Sequence, residues 1–465
     1  MKQDENYRSL FVGLDVETPL LDGSRRRYIN LDNAASTPAL KAVQQAVNTF
    51  LTYYSSVHRG TGFKSQLSTQ AYEQARHLVL EFVGADPAEH TCIFGKNTTE
   101  AVNKLAARFP FTESRRVVIT SGMEHHSNDL PWRAVAQTVH VPLTPDGRLD
   151  EASFDRILRE YRSQVALVAI TGASNVTGFI NPIHRLAEKA HAAGALIFVD
   201  CAQLAPHRQV NVRPLDDPAH LDFIALSAHK LYAPFGTGAL VGRLDFFAQG
   251  DPDQRGGGTV EIVTLNDVIW AAPPDRDEAG SPNTVGAIAL AAAIRQLMQV
   301  GMDEVAAHEA RLTDYALRRL PHVEGVRIFG DPDPSQAAQR LGVIPLLLEH
   351  VPHFLAAAVL GYEFGIGVRS GCFCAHPYIL HLLGLNHTQA EVVRNNMLAG
   401  DRSEMPGLIR ASFGLYNSVE EIDYFVDALT RISRGEYRGQ YIQELATGEY
   451  HPQGWQPNFT DYFSF

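Results

Sequence analysis

Short runs of almost unbroken apolar and β-branched residues recur along this chain at 91–94, 116–120, 165–170, 196–199 and 221–226. A strand with one wet face alternates polar and apolar residues. A continuous run instead reads as a strand buried on both faces, as in a parallel sheet. Helical patterns fall between most of the runs, for example at 150–161 and 183–193. Two further helices precede them, at 38–54 with proline in the first turn and at 65–83 before Gly84. The order implies an α/β block over residues 36–300, a mostly parallel sheet covered by helices. A helix-like stretch at 301–320 and a mixed region to about 433 read as a smaller α+β domain, joined by residues 1–35 and running on to 465. Two domains also fit a length of 465 residues, which exceeds what one core supports. The tail at 435–465 is rich in Tyr, Trp and Phe, and is expected to pack as an arm on the body or on a second subunit.

A formal net charge of −12 argues against nucleic acid or an anionic membrane as the main partner. The opening MKQDENYRSL lacks an apolar core of signal-peptide length, and no run approaches the length of a membrane span. Four cysteines do not make a disulfide framework in a chain this long, so a reducing compartment, the cytoplasm, is expected.

Ligands of open α/β sheets bind beyond the carboxyl ends of the strands, so the residues there carry the functional reading. The run at 221–226 leads into Ser227-Ala-His-Lys230, after which Pro234 and Gly236 turn the chain back into a second apolar run at 238–242. A lysine screened by apolar neighbours loses its proton easily, and a free amine is what Schiff-base chemistry needs. On this stretch alone a surface lysine in a turn explains the residues equally well. After the run at 91–94, Asn97 with Glu100 caps a helix whose free N–H groups, with Thr98 and Thr99, suit a phosphate. Asp200 ends another strand, either capping a turn or holding a proton on a pyridine nitrogen. The segment 171–178 offers the Asn175 amide, and 121–128 offers His125 and His126, either of which can lie flat on a ring. These signals converge on a phosphorylated pyridine aldehyde held by a lysine.

The ordered segments LDNAAST, VHRGTG, NTTEAVN, MEHHSNDLPW, SNVTGFINPI, VDCAQLAPH, SAHKLYAPFGTG, RGGGTVE, EAGSPN, VRSGCFCAHP and RASFGLYN resemble the class V aminotransferase fold. The resemblance points to the SufS-like cysteine desulfurases and selenocysteine lyases. It implies the type I fold of pyridoxal-phosphate-dependent transferases, pyridoxal 5′-phosphate as cofactor and a homodimer. Lys230 would carry the Schiff base, Asp200 would pair with the pyridinium nitrogen, Gln203 with the ring oxygen, and His125 would stack on the ring. Thr98, Thr99, Ser227 and His229 would hold the phosphate, joined by Ser281 of the second subunit. Arg410 would clamp the substrate carboxylate, with Asn175 and Arg369 lining the pocket. Cys374, five residues after Arg369, would take sulfur from a small amino-acid substrate as a persulfide, for transfer to an acceptor protein.

Two departures bear on the substrate. Cys372 and Phe373 stand where the family usually has polar residues, a Cys-Phe-Cys pattern closer to the molybdenum-cofactor sulfurase branch. If that loop is extended, residues two apart point the same way, and both thiols reach the cofactor side. Cys372 is then a resolving thiol; otherwise it is packed behind the loop. The segment at 385–406 reads as an insertion of about twenty residues, a dock for an acceptor protein, a cover that closes the pocket, or a neutral surface loop. Cys372, Cys374 and His376 fit no common zinc spacing, so no metal is expected. The leading expectation is a desulfurase or selenocysteine lyase. The alternatives are an aminotransferase, epimerase or β-lyase of the same fold, and a sulfur-carrying scaffold without turnover.

Overall fold

Each continuous apolar run becomes a strand of one seven-stranded sheet in the structure, a computed structural model that describes residues 7–465. The first six residues, expected to join the smaller domain, lie outside the described residues. The strands are β1 (His90–Gly95), β2 (Val117–Ser121), β3 (Gln137–Val141), β4 (Val165–Thr171), β5 (Leu196–Asp200), β6 (Phe223–Ser227) and β7 (Gly238–Arg243). Their order is β1-β7-β6-β5-β4-β2-β3. Neighbours from β2 to β6 are parallel, whereas β7 runs antiparallel to both β6 and β1. The reason is the link: a parallel crossover needs a dozen or more residues, and the turn at 228–237 is shorter. Strand β3 carries exposed and half-buried side chains at the sheet edge, so it lacks the apolar run that marks its neighbours.

Helices α1 (Lys41–Tyr53), α2 (Phe63–Phe82), α3 (Thr98–Arg108), α4 (Ile183–Ala192) and α5 (Thr284–Val300) surround this sheet. Alanine-rich α5 packs closely on α1 and α2. Its N-cap Asn283 accepts from Gly286 N–H at 2.9 Å, and its amide donates to the carbonyls of Phe235 and Gly236. The turn after Lys230 is thereby tied to a core helix. Gly301, at φ +90°, bends the chain by 77° into α6 (Met302–Arg319). Among the described residues no single helix is long and apolar enough to cross a membrane.

An exposed hairpin, β8 (Val260–Val263) and β9 (Val268–Trp270), leaves the body before α5. The second sheet is antiparallel, in the order β10 (Val326–Ile328), β11 (Val343–Leu348), β13 (Leu408–Ser412), β12 (Arg369–Gly371). Helices α7 (His353–Phe364) and α9 (Val419–Ser433) build its core with Ile344, Leu346 and Ile409. The segment at 385–406 forms α8 (His387–Leu398), which has a capping box and no buried residue. The N-terminal segment serves both cores, Phe11 in the first and Ile29 with Leu31 in the second. The tail folds on its own chain: hairpin β14 (Tyr441–Gln443) and β15 (Tyr450–Pro452) lies beside α7, with Trp455 edge-on to Tyr362 at 5.6 Å.

The glycine that opens β7 fixes how close α3 comes to the sheet. A Cβ on Gly238 would sit 2.6 Å from Asn97 Cα and 2.6 Å from Leu226 O. Gly238→Ala should therefore push the α3 terminus outward and cost about 1–3 kcal/mol through overpacking. Thermal unfolding checks this, and an unchanged midpoint would show that α3 shifts without strain.

Candidate active site

The carboxyl ends of β1, β4, β5 and β6 open onto a cavity of about 430 Å³, closed from the other side by the second sheet. At the β1 end, Asn97 accepts from Glu100 N–H at 3.0 Å and starts α3. The Glu100 carboxylate takes the N–H of Lys96, so both side chains bond backbone at the helix start, as expected of a cap. Ser227, ending β6, accepts the Thr98 N–H at 2.9 Å and donates to the Thr98 hydroxyl at 2.8 Å. Thr99 meets Ser127 at 2.7 Å, and His229 faces Ser36 at 3.3 Å. The hydroxyls and helix N-terminus thus gather at one end of the cavity, with a geometry suited to a phosphate.

Lys230 lines the same cavity, and its amine makes no hydrogen bond among the described residues. Burial lowers its pKa to about 8, against the opposing pull of Asp200. Asp200 is buried at the end of β5 with one oxygen accepting Ala202 N–H at 2.9 Å, and burial raises its pKa. Gln203 donates to the Ala34 carbonyl at 2.7 Å. His125 Nδ1 accepts the Ser127 N–H at 3.1 Å, which leaves the proton on Nε2. Burial and the nearby Lys230 lower the His125 pKa to about 3, so the ring is neutral. The fit to a protonated aromatic nitrogen is physical: Asp200 has a buried oxygen to spare and no cation bonded to it.

The second sheet supplies the other wall. Strands β12 and β13 place Arg369 directly opposite Arg410. The Asp32 carboxylate bridges the two guanidiniums, at 3.1 Å from Arg369 Nε and 2.9 Å from Arg410 Nη2. Arg410 Nη1 donates to Asn175 O at 3.0 Å, while its Nε is buried without a partner. Asn175 lines the cavity, and its amide donates to Phe373 O at 2.8 Å. Cys374 is exposed at the rim of the same cavity. Phe373 and Cys374 have φ of +52° and +55°, so this loop is a tight left-handed turn and not an extended strand. The extended loop that would turn both thiols one way is therefore not formed, and the packed alternative for Cys372 holds. Cys372 is buried behind the turn with its thiol on Pro406 O at 3.0 Å, and burial pushes its pKa to about 12. His376 stacks on His126 with centroids 5.0 Å apart, beside the His126 N–H that donates to Cys374 O. Ser281 is exposed and does not line this cavity.

Comparison with known proteins decides the family. Residues 29–425 match the model of the family described as Aminotransferase class-V. A protein of Halalkalibacterium halodurans named probable cysteine desulfurase is 36% identical over 93% of this chain and 98% of its own. A cysteine desulfurase of Dickeya dadantii is 37% identical, over 87% and 92%. The apo structure of a cysteine desulfurase from Thermococcus onnurineus NA1 superposes with a TM-score of 0.76 at 32% identity, covering 88% of this chain and 95% of that one. The chain belongs to the class-V aminotransferases.

Class-V membership makes the protein an enzyme of the type I fold of pyridoxal-phosphate-dependent transferases, as the resemblance implied. Every residue to which the resemblance gives a role, except Ser281, lines this cavity, whereas His126, offered beside His125, and Cys372, offered as a second thiol, do not. Sequence reasoning missed Asp32 and Ser127, although both stand within quoted segments, because carboxylates and serines in irregular loops have many local uses.

A lysine with a pKa near 8 gives a sharp expectation. Below that value the neutral fraction rises tenfold per pH unit, and above it the fraction levels off. Acylation of Lys230 in cofactor-free protein, followed by peptide mass spectrometry, should plateau above pH 8. A rate still climbing through pH 10 would show that the amine is not desolvated.

Proposed function

We propose that this chain is a pyridoxal-phosphate-dependent cysteine desulfurase. The reading rests above all on Cys374, the exposed thiol at the rim of a cavity that also holds Lys230 and Arg410. The relatives' names support it. Lys230 would tether the cofactor, with Asp200 on the ring nitrogen, Gln203 on the ring oxygen and His125 against the ring face. Thr98, Thr99, Ser227 and His229 would bind the phosphate.

When bound, pyridoxal phosphate supplies the electron sink that weakens bonds at the substrate α-carbon. The chain's own residues do the rest. Arg410 holds the substrate carboxylate, its unpaired Nε offering one donor and the guanidinium plane a second. Lys230, neutral above about pH 8, takes the α-proton. The Cys374 thiolate attacks the substrate sulfur: an S–S bond forms, the C–S bond breaks, and its electron pair stays on carbon and is protonated. L-cysteine and the thiol thus become L-alanine and a Cys374 persulfide, with no outside oxidant. A thiol acceptor, protein or small molecule, then removes the outer sulfur.

A homodimer belongs to this reading. Hairpin β8–β9 exposes Ile262, Val263, Leu265, Val268 and Ile269, an apolar arm that burial against a second copy would cover. Ser281, off its own cavity, suits the partner's phosphate site in the same way.

Treatment with L-cysteine should add one sulfur atom to the peptide bearing Cys374. Cys374→Ser should lose this and nearly all alanine formation, while Cys372→Ser should keep activity with a small reductant, since the Cys372 thiol faces Pro406. If neither cysteine gains sulfur and both variants turn over, the aminotransferase or β-lyase alternative takes its place. Arg410→Ala should raise the cysteine requirement by about one to two decades, from roughly 1.5–3 kcal/mol for a charged contact. Equal use of cysteine and cysteamine by the unaltered enzyme would remove Arg410 as the clamp.

A further inference from the structure

At the opposite, amino end of the main sheet, three ligand-type side chains meet that the reaction does not use. His191 lies in the last turn of α4, and His220 and Asp222 lie in the segment entering β6. Ser227 lies five residue steps along the strand from Asp222, roughly 17 Å at about 3.3 Å each. His191 Nε2 is 2.9 Å from one Asp222 oxygen and His220 Nε2 is 3.2 Å from the other. All three ligand atoms lie within 4.8 Å of one another.

The protons decide what this cluster does. His191 Nδ1 is 2.7 Å from Pro218 O, and His220 Nδ1 is 2.7 Å from Asp217 O. A carbonyl only accepts, so each ring carries its hydrogen on Nδ1. In the neutral rings both Nε2 lone pairs then point at a carboxylate, which is repulsive. One proton, on His191, relieves only the first of these contacts, and a second, on His220, would stack two imidazoliums with centroids 4.1 Å apart beside the Arg243 guanidinium. One cation between the three groups relieves both contacts at once. We propose that His191, His220 and Asp222 bind one divalent transition-metal ion of the zinc type.

Two imidazoles and a carboxylate select zinc, cobalt or nickel over magnesium or calcium. The Nδ1–carbonyl bonds orient the rings as the outer contacts of metal-bound histidines do. The Asp222–Ile197 N–H bond of 2.8 Å holds the carboxylate in place. Arg243 approaches the Asp222 oxygen at 3.2 Å, yet it is paired through Nε and Nη2 with Asp245 at 3.0 and 2.7 Å, so it can retain that partner as an ion enters. The Asp222 side chain is fully buried and that of His191 is 17% exposed, which gives the ion a route from solvent. Bound there, the ion would clip the end of α4 to the starts of β5 and β6.

Zn²⁺ is the probe. Holoenzyme carrying Cys374→Ser, which removes the exposed thiol as a competing ligand, is dialysed against Zn²⁺ and assayed for bound metal and thermal midpoint. One equivalent should be retained with a raised midpoint. His191→Ala in that background should weaken binding by more than about a hundredfold, since even outer-contact losses cost 10–100-fold. With Cys374 intact, His191→Ala should leave cysteine turnover unchanged. His191→Asn, which keeps a donor for Pro218 O, guards against misfolding. Equal zinc binding with and without His191 overturns the proposal. So does the absence of zinc binding to the unaltered cluster, whatever the protonation of the two rings by NMR near neutral pH.

Discussion

A buried carboxylate on α6 joins the two walls of the cavity. Glu309 accepts from Arg208 at 2.5 Å and from the Gly342 N–H at 2.7 Å, with His207 at 3.0 Å. His207 and Arg208 follow the loop after β5 that carries Gln203, while Gly342 enters β11, the strand paired with β13 and Arg410. These contacts hold the Glu309 carboxyl below its usual pKa despite its burial. Removing one member of such a buried set leaves an uncompensated charge and costs about 3–5 kcal/mol. The cost here would fall on geometry as well, because the lysine and the arginines sit on different sheets.

Given that joint, the electrostatics follow from burial. Lys230, His125 and Asp200 are desolvated together, and in each case burial favours the neutral form. A neutral amine is a nucleophile, and a neutral imidazole adds no charge beside a ring. The buried Asp200 is the exception that waits for a cation. Arg410 stays charged against the same burial because Asp32 is bonded to it, and that carboxylate also fixes Arg369.

Sequence carried the strand ends well and the joints poorly. Strands buried on both faces must be apolar throughout, so β2, β4, β5 and β6 were legible, and with them Lys230 and Asp200 at their ends. Edge strand β3 has no such requirement and left no run. Glu309 lies on an amphipathic helix where a glutamate ordinarily faces water, and only the tertiary arrangement makes it a joint. His191 and Asp222 are 31 residues apart, with no spacing that marks a ligand set. Composition likewise carried no sign that α8 would bury nothing.

The turn at Cys374 shows most clearly why spacing alone misleads. Two adjacent non-glycine residues in the left-handed region cost on the order of 1–3 kcal/mol each. The turn persists because each of its three carbonyls has a separate partner. Cys372 O accepts from Ala375 N–H, Phe373 O from the Asn175 amide, and Cys374 O from His126 N–H, each at 2.8 Å. The Phe373 ring lies 4.8 Å from the Arg410 guanidinium, adding a cation–π contact. Two of the three carbonyl partners come from loops that follow strands of the main sheet, so the turn is set from outside. Its twist sends alternate side chains apart, burying one thiol and presenting the other to the cavity. The distinction between two cysteines one residue apart is therefore a tertiary property, made by the same loops that carry His125 and Asn175.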